Sequence, residues 1–411
     1  MTGKVQLALL ALGLLVHFGV AVPIAKTAVW ETRNARDFAS YYYAWHVAAD
    51  GGDPYKTLAL TKLAKAEGTR VGPVQPYFYP PPFLYTMAWV HDLPLRSAYR
   101  AMLVLNEVLL FASLAVLVRG FGVSVGAVGL LLAVWSPIPD NLKMGQANLV
   151  ALLPGLLGLW LARTRPWVGG VLLGIAAMFK MSPALFLLYW ILRREWKPCV
   201  AAGLTAILLS VLSLPICGFA LQQKFYLTVM PGFAQGDYHG LGVWISLSAN
   251  HSIPDIFNNW WPGPSRTALS ETALWASRAL TAAILIFWGF RAVRLRDQPG
   301  RVLGALTILM VTIPTYAYEH HLVFLLLPAG ALMTGLLAAE ADPAHKLRSR
   351  IWQALALLTL AAVAWPLDVL NLVLDETPKS MRWLVRESKF LGLTSMFFML
   401  LAPFPARAKP G

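Results

Sequence analysis

The chain has 411 residues, 57% of them hydrophobic and 13% charged, with a formal net charge of +14 and a mean hydropathy of +0.59. A soluble domain carries about 25% charged residues, so lipid rather than water must solvate most of this surface, and a soluble globular enzyme is excluded. The basic excess falls mostly in short clusters between apolar runs, which reads as membrane topology and not as nucleic-acid binding.

Taken in chain order, apolar runs that could span lie at 5–25, 101–118, 122–138, 147–162, 166–179, 182–192, 198–218, 272–290, 302–316, 321–338, 351–371 and 390–405. The first follows a lone Lys4 and contains a small-x-small tripeptide, Gly19-Val20-Ala21. Because many spans follow, it reads as a retained signal-anchor and not as a cleaved signal. Cys199 and Cys217 are the only cysteines and lie in or beside one run, which argues against a disulfide framework and a thiolate metal site.

The basic clusters between the runs are Arg119; Arg163 and Arg165; Arg193, Arg194 and Lys197; Arg291, Arg294, Arg296 and Arg301; Lys346, Arg348 and Arg350; and Arg407 with Lys409. With the N-terminus inside, counting crossings puts every one of them on the cytoplasmic side. The expected fold is an all-α polytopic membrane protein of about twelve segments, one membrane domain over 1–411, with both termini cytoplasmic in an inner or plasma membrane. Stretch 81–94 is then an interfacial helix that does not cross. The short pair 166–179 and 182–192 is a hairpin whose tip, Lys180, faces a protein cavity. Outer loops span 26–100 and 219–271, with turns at 139–146, 317–320 and 372–389. Two segments run against the charge rule: the first loop (Lys26, Arg33, Arg36, Lys56, Lys62, Lys65, Arg70) and the last turn (Lys379, Arg382, Arg386, Lys389).

Under this topology the unusual polar motifs all face one side. Asp37, just past the first span among aromatic residues, can act as a general base or simply cap a helix. Arg33 and Arg36 beside it can hold a phosphate or lipid head groups. Tyr79, in Tyr77-Phe78-Tyr79-Pro80-Pro81-Pro82, offers a stacking face or an aromatic belt. Asp140-Asn141 and Gly145-Gln146-Ala147-Asn148 share an outer turn, where Gln146 and Asn148 bind substrate or cap the following helix. Lys180, deep in an apolar hairpin, reads as functional, with snorkelling as the bland alternative. Asn250-His251-Ser252 lies in the second large loop. Glu319-His320-His321 offers a phosphate partner or proton shuttle; neighbours on a helix diverge by about 100°, which argues against joint chelation of a metal. Asp50 and Asp53 read as turn residues. The chain shows no Walker loop, no nucleotide-binding glycine motif after a strand and no nucleophile elbow, so an activated substrate is expected from the membrane.

In order and spacing, RDFASYYYAW, GGDPY, FYPPPFLYTMAWVHDLPLRSAYR, the long segment from GQANLV to LRREW, the NHS motif and YEHHLVFLLLP resemble bacterial glycosyltransferase family 87. The resemblance covers roughly residues 1–338. Family members often carry Asn-Gln-Ser where this chain has Asn250-His251-Ser252. The resemblance implies a GT-C-type helical bundle that passes a sugar, usually mannose, from a polyprenyl-phosphate carrier to a lipid- or glycan-bound acceptor outside the cytoplasm. It implies an inverting single displacement with Asp37 as base. Arg36, Lys180, His320, His321, Gln146, Asn148, Tyr79 and Asn250 are then the candidates for donor-phosphate or substrate binding, with no metal or cofactor. Partners are the lipid-linked donor, the acceptor and membrane lipids, not nucleic acid. Two other readings stay open: a lipid or solute transporter or flippase, and a glycan polymerase or ligase using polyprenyl-diphosphate donors.

Overall fold

Apolar runs that look continuous in the sequence are broken in the fold, each close to a proline. A computed structural model of the protein describes residues 1–30, 36–68, 73–235, 244–265, 267–338 and 346–402, without the side chains of 28–30, 36 and 346. Among the described residues all regular structure is helical. The chain begins with α1 (Gly3–Trp30), α2 (Arg36–Ala49), α3 (Thr57–Ala66), α4 (Pro81–Thr86) and α5 (Leu95–Phe121). Next, α6 (Val125–Val134) meets α7 (Pro137–Met144) at 58°. Then α8 (Asn148–Leu161) and α9 (Pro166–Phe179) lead to a 3-10 segment, Ser182–Phe186, and α10 (Leu187–Leu192). After it, α11 (Trp196–Leu212) turns by 113° into α12 (Leu214–Lys224) and α13 (Met230–Ala234). The non-helical residues at these breaks are Trp135 (φ −82°, ψ 87°), Lys180 (φ −150°, ψ 122°) and, inside α12, Gly218 (φ 62°, ψ 167°). Pro137, Pro183 and Pro215 sit in the first turn of the segment that follows or contains the break, where a missing N–H costs nothing.

The second loop carries α14 (Ile253–Trp260). The chain closes with α15 (Glu271–Arg294), α16 (Pro299–Thr312), a 3-10 turn Glu319–Leu325 running into α17 (Leu326–Ala338), α18 (Lys346–Ala364), α19 (Leu367–Glu376), α20 (Arg382–Arg386) and α21 (Ser388–Leu401). Among the described residues, five helices are long and apolar enough to cross a membrane, or seven if each bent pair is one span. The other apolar runs form helices of 10–17 residues. At 1.5 Å per residue a 14-residue helix is about 21 Å long, short of a hydrocarbon core of about 30 Å. The chain is therefore a multi-pass membrane protein with five to seven full-length spans by length and composition, where the sequence reading counts about twelve. α16 is one of these shorter helices. It is buried on every face from Arg301 to Thr312, as a helix that is apolar all round should be.

Close packing uses small residues, as expected where lipid removes the hydrophobic drive between helices. On α9, Gly170 and Gly174 lie against Pro198 and Ala202 of α11, and Gly169 lies against Ala162 at the end of α8. A Cβ at any of the three would come within 3.0 Å of a neighbour. The α4 segment is six residues followed by a 3-10 turn, Met87–Val90, too short to cross. α5 starts at Leu95, straight after Pro94. At one end of the bundle, Arg301 and Arg291 donate to the last carbonyls of α21: Arg301 Nε to Leu400 at 2.8 Å, and Arg291 to Leu401. Cations there offset the negative end of the helix dipole.

Two of the four basic residues in the turn 372–389 are paired inside the protein. Lys389 Nζ meets Glu319 Oε1 at 2.6 Å, and Arg386 Nη2 meets Asp255 Oδ1 at 3.3 Å. Neutralised in this way, they place little free charge on that segment. Arg407 and Lys409 lie outside the described residues.

Candidate active site

The ends of α15 and α16 remote from Arg291 and Arg301 open onto a cavity of about 1010 Å³. Its polar wall comes from α2 (Asp37, Tyr41), Tyr79, α7 and the turn after it (Asp140, Gln146), Lys180 at the break after α9, and His320 with His321 at the start of the last 3-10 turn. The remainder is mainly apolar and includes Leu185, Phe225, Met230, Phe233, Leu285 and Met310.

Asp37 sits in the first turn of α2, and Tyr41, one turn on, shares its face. Gln146 Nε2 donates to Asp37 Oδ2 at 2.6 Å. The Gln146 Oε1 is in turn contacted by the Tyr41 hydroxyl at 2.8 Å and the Tyr79 hydroxyl at 3.0 Å, and the two hydroxyl oxygens are 2.7 Å apart. Burial, reinforced by the Asp37 charge, pushes both phenols above their ordinary value, so they stay protonated and can donate. Gly145 makes this geometry possible. It ends α7 at φ 59°, and a Cβ there would lie 2.7 Å from the Tyr99 ring and 2.8 Å from Phe38, so a side chain is excluded both by conformation and by space.

Lys180 is the extended residue that ends α9, with φ −150° and ψ 122°. Its ammonium donates to Asn148 Oδ1 and lies 5.7 Å from the ring centroids of both Tyr79 and Phe324. Asn148 does not line the cavity. Its amide nitrogen donates to Asn141 Oδ1 at 3.0 Å and to the His320 carbonyl at 2.8 Å, so it links the lysine to the histidine turn.

His320 lies between two carboxylates: Nε2 is 3.7 Å from Asp37 Oδ2, and Nδ1 is 3.7 Å from Asp140 Oδ2. His321 packs edge-on against it, with centroids 4.4 Å apart. The Nδ1 of His321 accepts from the Tyr318 amide at 3.2 Å, which leaves Nε2 to carry a hydrogen. Behind this pair, Glu319 accepts from Lys389 and from Ser136 Oγ at 3.1 Å and faces His251 Nε2 at 3.3 Å. Burial lowers the His251 ring below its ordinary value.

Asp37, Tyr79, Gln146, Lys180, His320 and His321 therefore share one cavity. Asn250 does not reach it. Its amide nitrogen donates to the carbonyls of Ile245 and Thr315, and its oxygen accepts from the Ala317 amide. With Ser252 Oγ on the Thr315 carbonyl at 2.8 Å, the Asn-His-Ser motif pins the second loop to the lead-in of the histidine turn. Arg36 heads α2, and its side chain, like Arg33, lies outside the described residues. Sequence reasoning missed Tyr41, Asp140 as a wall residue, and Arg278, which is exposed on α15. The four-residue spacing from Asp37 signals the first of these. The other two carry no local signal.

No curated protein matches the chain. The sequence profile of glycosyltransferase family 87 matches residues 77–317, a stretch that holds Tyr79, Asp140, Gln146, Asn148, Lys180 and Asn250 and stops short of Asp37 and the histidine pair. That match covers more than half of the protein, and with the apolar helices around an acid-, lysine- and histidine-lined cavity it establishes that this chain belongs to glycosyltransferase family 87 and is a membrane glycosyltransferase.

Proposed function

We propose that the enzyme moves a sugar, with mannose as the first candidate, from a polyprenyl-phosphate carrier to a hydroxyl of a lipid- or glycan-bound acceptor on the extracytoplasmic side. The observation that carries the reading is the cavity itself: Asp37 and two further carboxylates with a lysine and imidazole groups at one end, and mainly apolar walls beyond. A lipid-linked phosphate sugar has that division of chemistry. The outward orientation draws support from α9, α15 and α16. Each has a basic cluster at one end and the cavity at the other, the pattern of a positive-inside protein with an outward-facing site.

In this mechanism Asp37 removes the proton from the acceptor hydroxyl, whose oxygen attacks the anomeric carbon. The bond from that carbon to the phosphate oxygen breaks on the opposite face, and its electrons stay on the phosphate. Inversion follows from the single displacement. Lys180 and the N–H groups of the histidine pair face the negative charge that grows on the leaving phosphate, where preorganised donors in a dry site act most strongly. As written, the step uses no nucleotide and no metal. A GT-C-type arrangement, with both termini cytoplasmic, completes the reading.

The test is incubation of purified protein in nanodiscs with radiolabelled polyprenyl-phosphate mannose and extracted membrane lipids, comparing wild type with Asp37→Asn. A labelled glycolipid from wild type is expected, with the rate in the variant lower by about 10²–10⁴-fold. Transfer by Asp37→Asn at the native rate would remove the base assignment. Failure to consume any lipid-linked sugar would remove the donor class.

A further inference from the structure

Asp140 is legible in the sequence only as one member of an outer turn, and the mechanism above leaves it without a role. It lies in the first turn of α7, where a carboxylate commonly offsets the helix dipole. Two further facts go beyond that: it lines the cavity, and its Oδ2 is 3.7 Å from His320 Nδ1. The other ring nitrogen faces Asp37 Oδ2 at the same distance. A ring with one hydrogen would turn a lone pair toward one of the two carboxylates, whereas a ring with a hydrogen on both nitrogens satisfies both. Both contacts are too long for hydrogen bonds, and such contacts commonly tighten when substrate fills an active site.

We propose that Asp140 is a positioning residue that holds His320 doubly protonated, so that the ring meets the phosphate of the lipid-linked donor as a cation. The proposal rests on the polyprenyl-phosphate reading above. Asp140 accepts a hydrogen bond from Nδ1–H, which fixes the ring so that the Nε2 hydrogen faces the cavity and is available to the donor phosphate across the sugar from Asp37. The imidazolium in turn screens that phosphate from the Asp37 carboxylate, which otherwise repels it.

The proposal fixes a sign. On plain electrostatics, removing a carboxylate from a phosphate-binding cavity strengthens phosphate binding. If Asp140 acts through His320, removing it weakens binding instead. The experiment measures binding of a polyprenyl monophosphate, and of the uncharged polyprenol of the same chain length, to the full-length protein in nanodiscs. Asp140→Asn and Asp140→Ala should each bind the phosphate about tenfold more weakly, the scale of one hydrogen bond to a charged group. His320→Gln should lose a similar factor, and the Asp140→Asn, His320→Gln double variant no more than the weaker single one. Polyprenol binding should not change.

Unchanged or tighter phosphate binding in both Asp140 variants overturns the proposal. So does a loss that adds to that of His320→Gln, or one that extends to polyprenol. A wild type that does not prefer the phosphate over polyprenol removes the donor assignment itself, and this inference with it.

Discussion

Gln146 donates a 2.6 Å hydrogen bond to Asp37 across 109 residues of chain. Its own oxygen is occupied by the hydroxyls of Tyr41 and Tyr79, so the amide cannot flip without losing both donors. The carboxylate is thereby held by one oxygen, which leaves the other for the proton transfer proposed above.

Gln146→Leu should therefore leave Asp37 present but badly aimed. A hydrogen bond to a charged group contributes about 1.5–3 kcal/mol, so kcat is expected to fall about 10–100-fold with little change in KM for the donor. Initial rates on the lipid-linked sugar measure this directly, and native kcat in the variant would show that the amide does not position the base.

Much of this site is legible in the sequence because its members are ionisable residues beside apolar runs, where they are expensive to keep. Asp37, Lys180 and the histidine pair stand out on that ground alone. Asp140 does not, because an acidic residue in a helix's first turn is ordinary, and only the fold brings it to His320. The span count is less legible for a related reason. Hydropathy reads 122–138 and 198–218 as continuous runs, while the backbone leaves the helical region at Trp135 and at Gly218, the latter in a left-handed conformation that only glycine adopts readily. The basic turn at 379–389 misleads as well, since two of its four charges, Arg386 and Lys389, have partners far away in sequence.

The Lys389–Glu319 pair carries a prediction about stability. Lys389 is fully buried and its ammonium also donates to the Val363 carbonyl at 3.0 Å. Removing one member of a buried pair strands the other, at a cost of about 3–5 kcal/mol. Lys389→Met and Glu319→Gln should each lower the thermal midpoint of the detergent-solubilised protein by several degrees. Lys389→Met combined with Glu319→Gln should recover part of the loss, because no buried charge is then left alone. If the double variant is as unstable as the sum of the two singles, the pair is not the source of the effect.

Glu387, which precedes α21, predicts a pH dependence. Burial raises its carboxyl from the usual 4.5 to about 7, opposed by Arg386. The folded state therefore binds more protons than the unfolded chain between these values, and stability must fall as pH rises through that window. Burial also raises the Asp255 carboxyl, with the same sign, whereas the lowered His251 ring acts in the opposite direction. Glu387→Gln isolates the term. Relative to this variant, wild type should lose thermal stability from about pH 5 to about pH 7.5, and parallel curves for the two proteins would contradict the assignment.

A lipid-linked donor of the kind proposed would have to reach the cavity from the bilayer. Arg278 stands on α15 with Ser277 and Thr281 along the cavity wall. Among the described residues its guanidinium meets the ring of Trp275, 5.1 Å from the centroid, and no carboxylate. Trp275, Trp260 and Trp261 are all exposed, and exposed tryptophans gather at the head-group level of a bilayer. Arg278 lies three residues along α15 from Trp275, about 4.5 Å of helix rise, at the depth where a lipid phosphate travels. If the donor enters past this wall, Arg278→Gln should raise KM for the lipid-linked sugar about tenfold, on the scale of one charge-assisted hydrogen bond, and leave kcat nearly unchanged. Arg278→Lys should fall between the two, since it keeps the charge but loses the forked geometry that suits phosphate. A fall in kcat at constant KM would instead put Arg278 at the reacting centre, and no change in either constant would mean that the donor enters elsewhere.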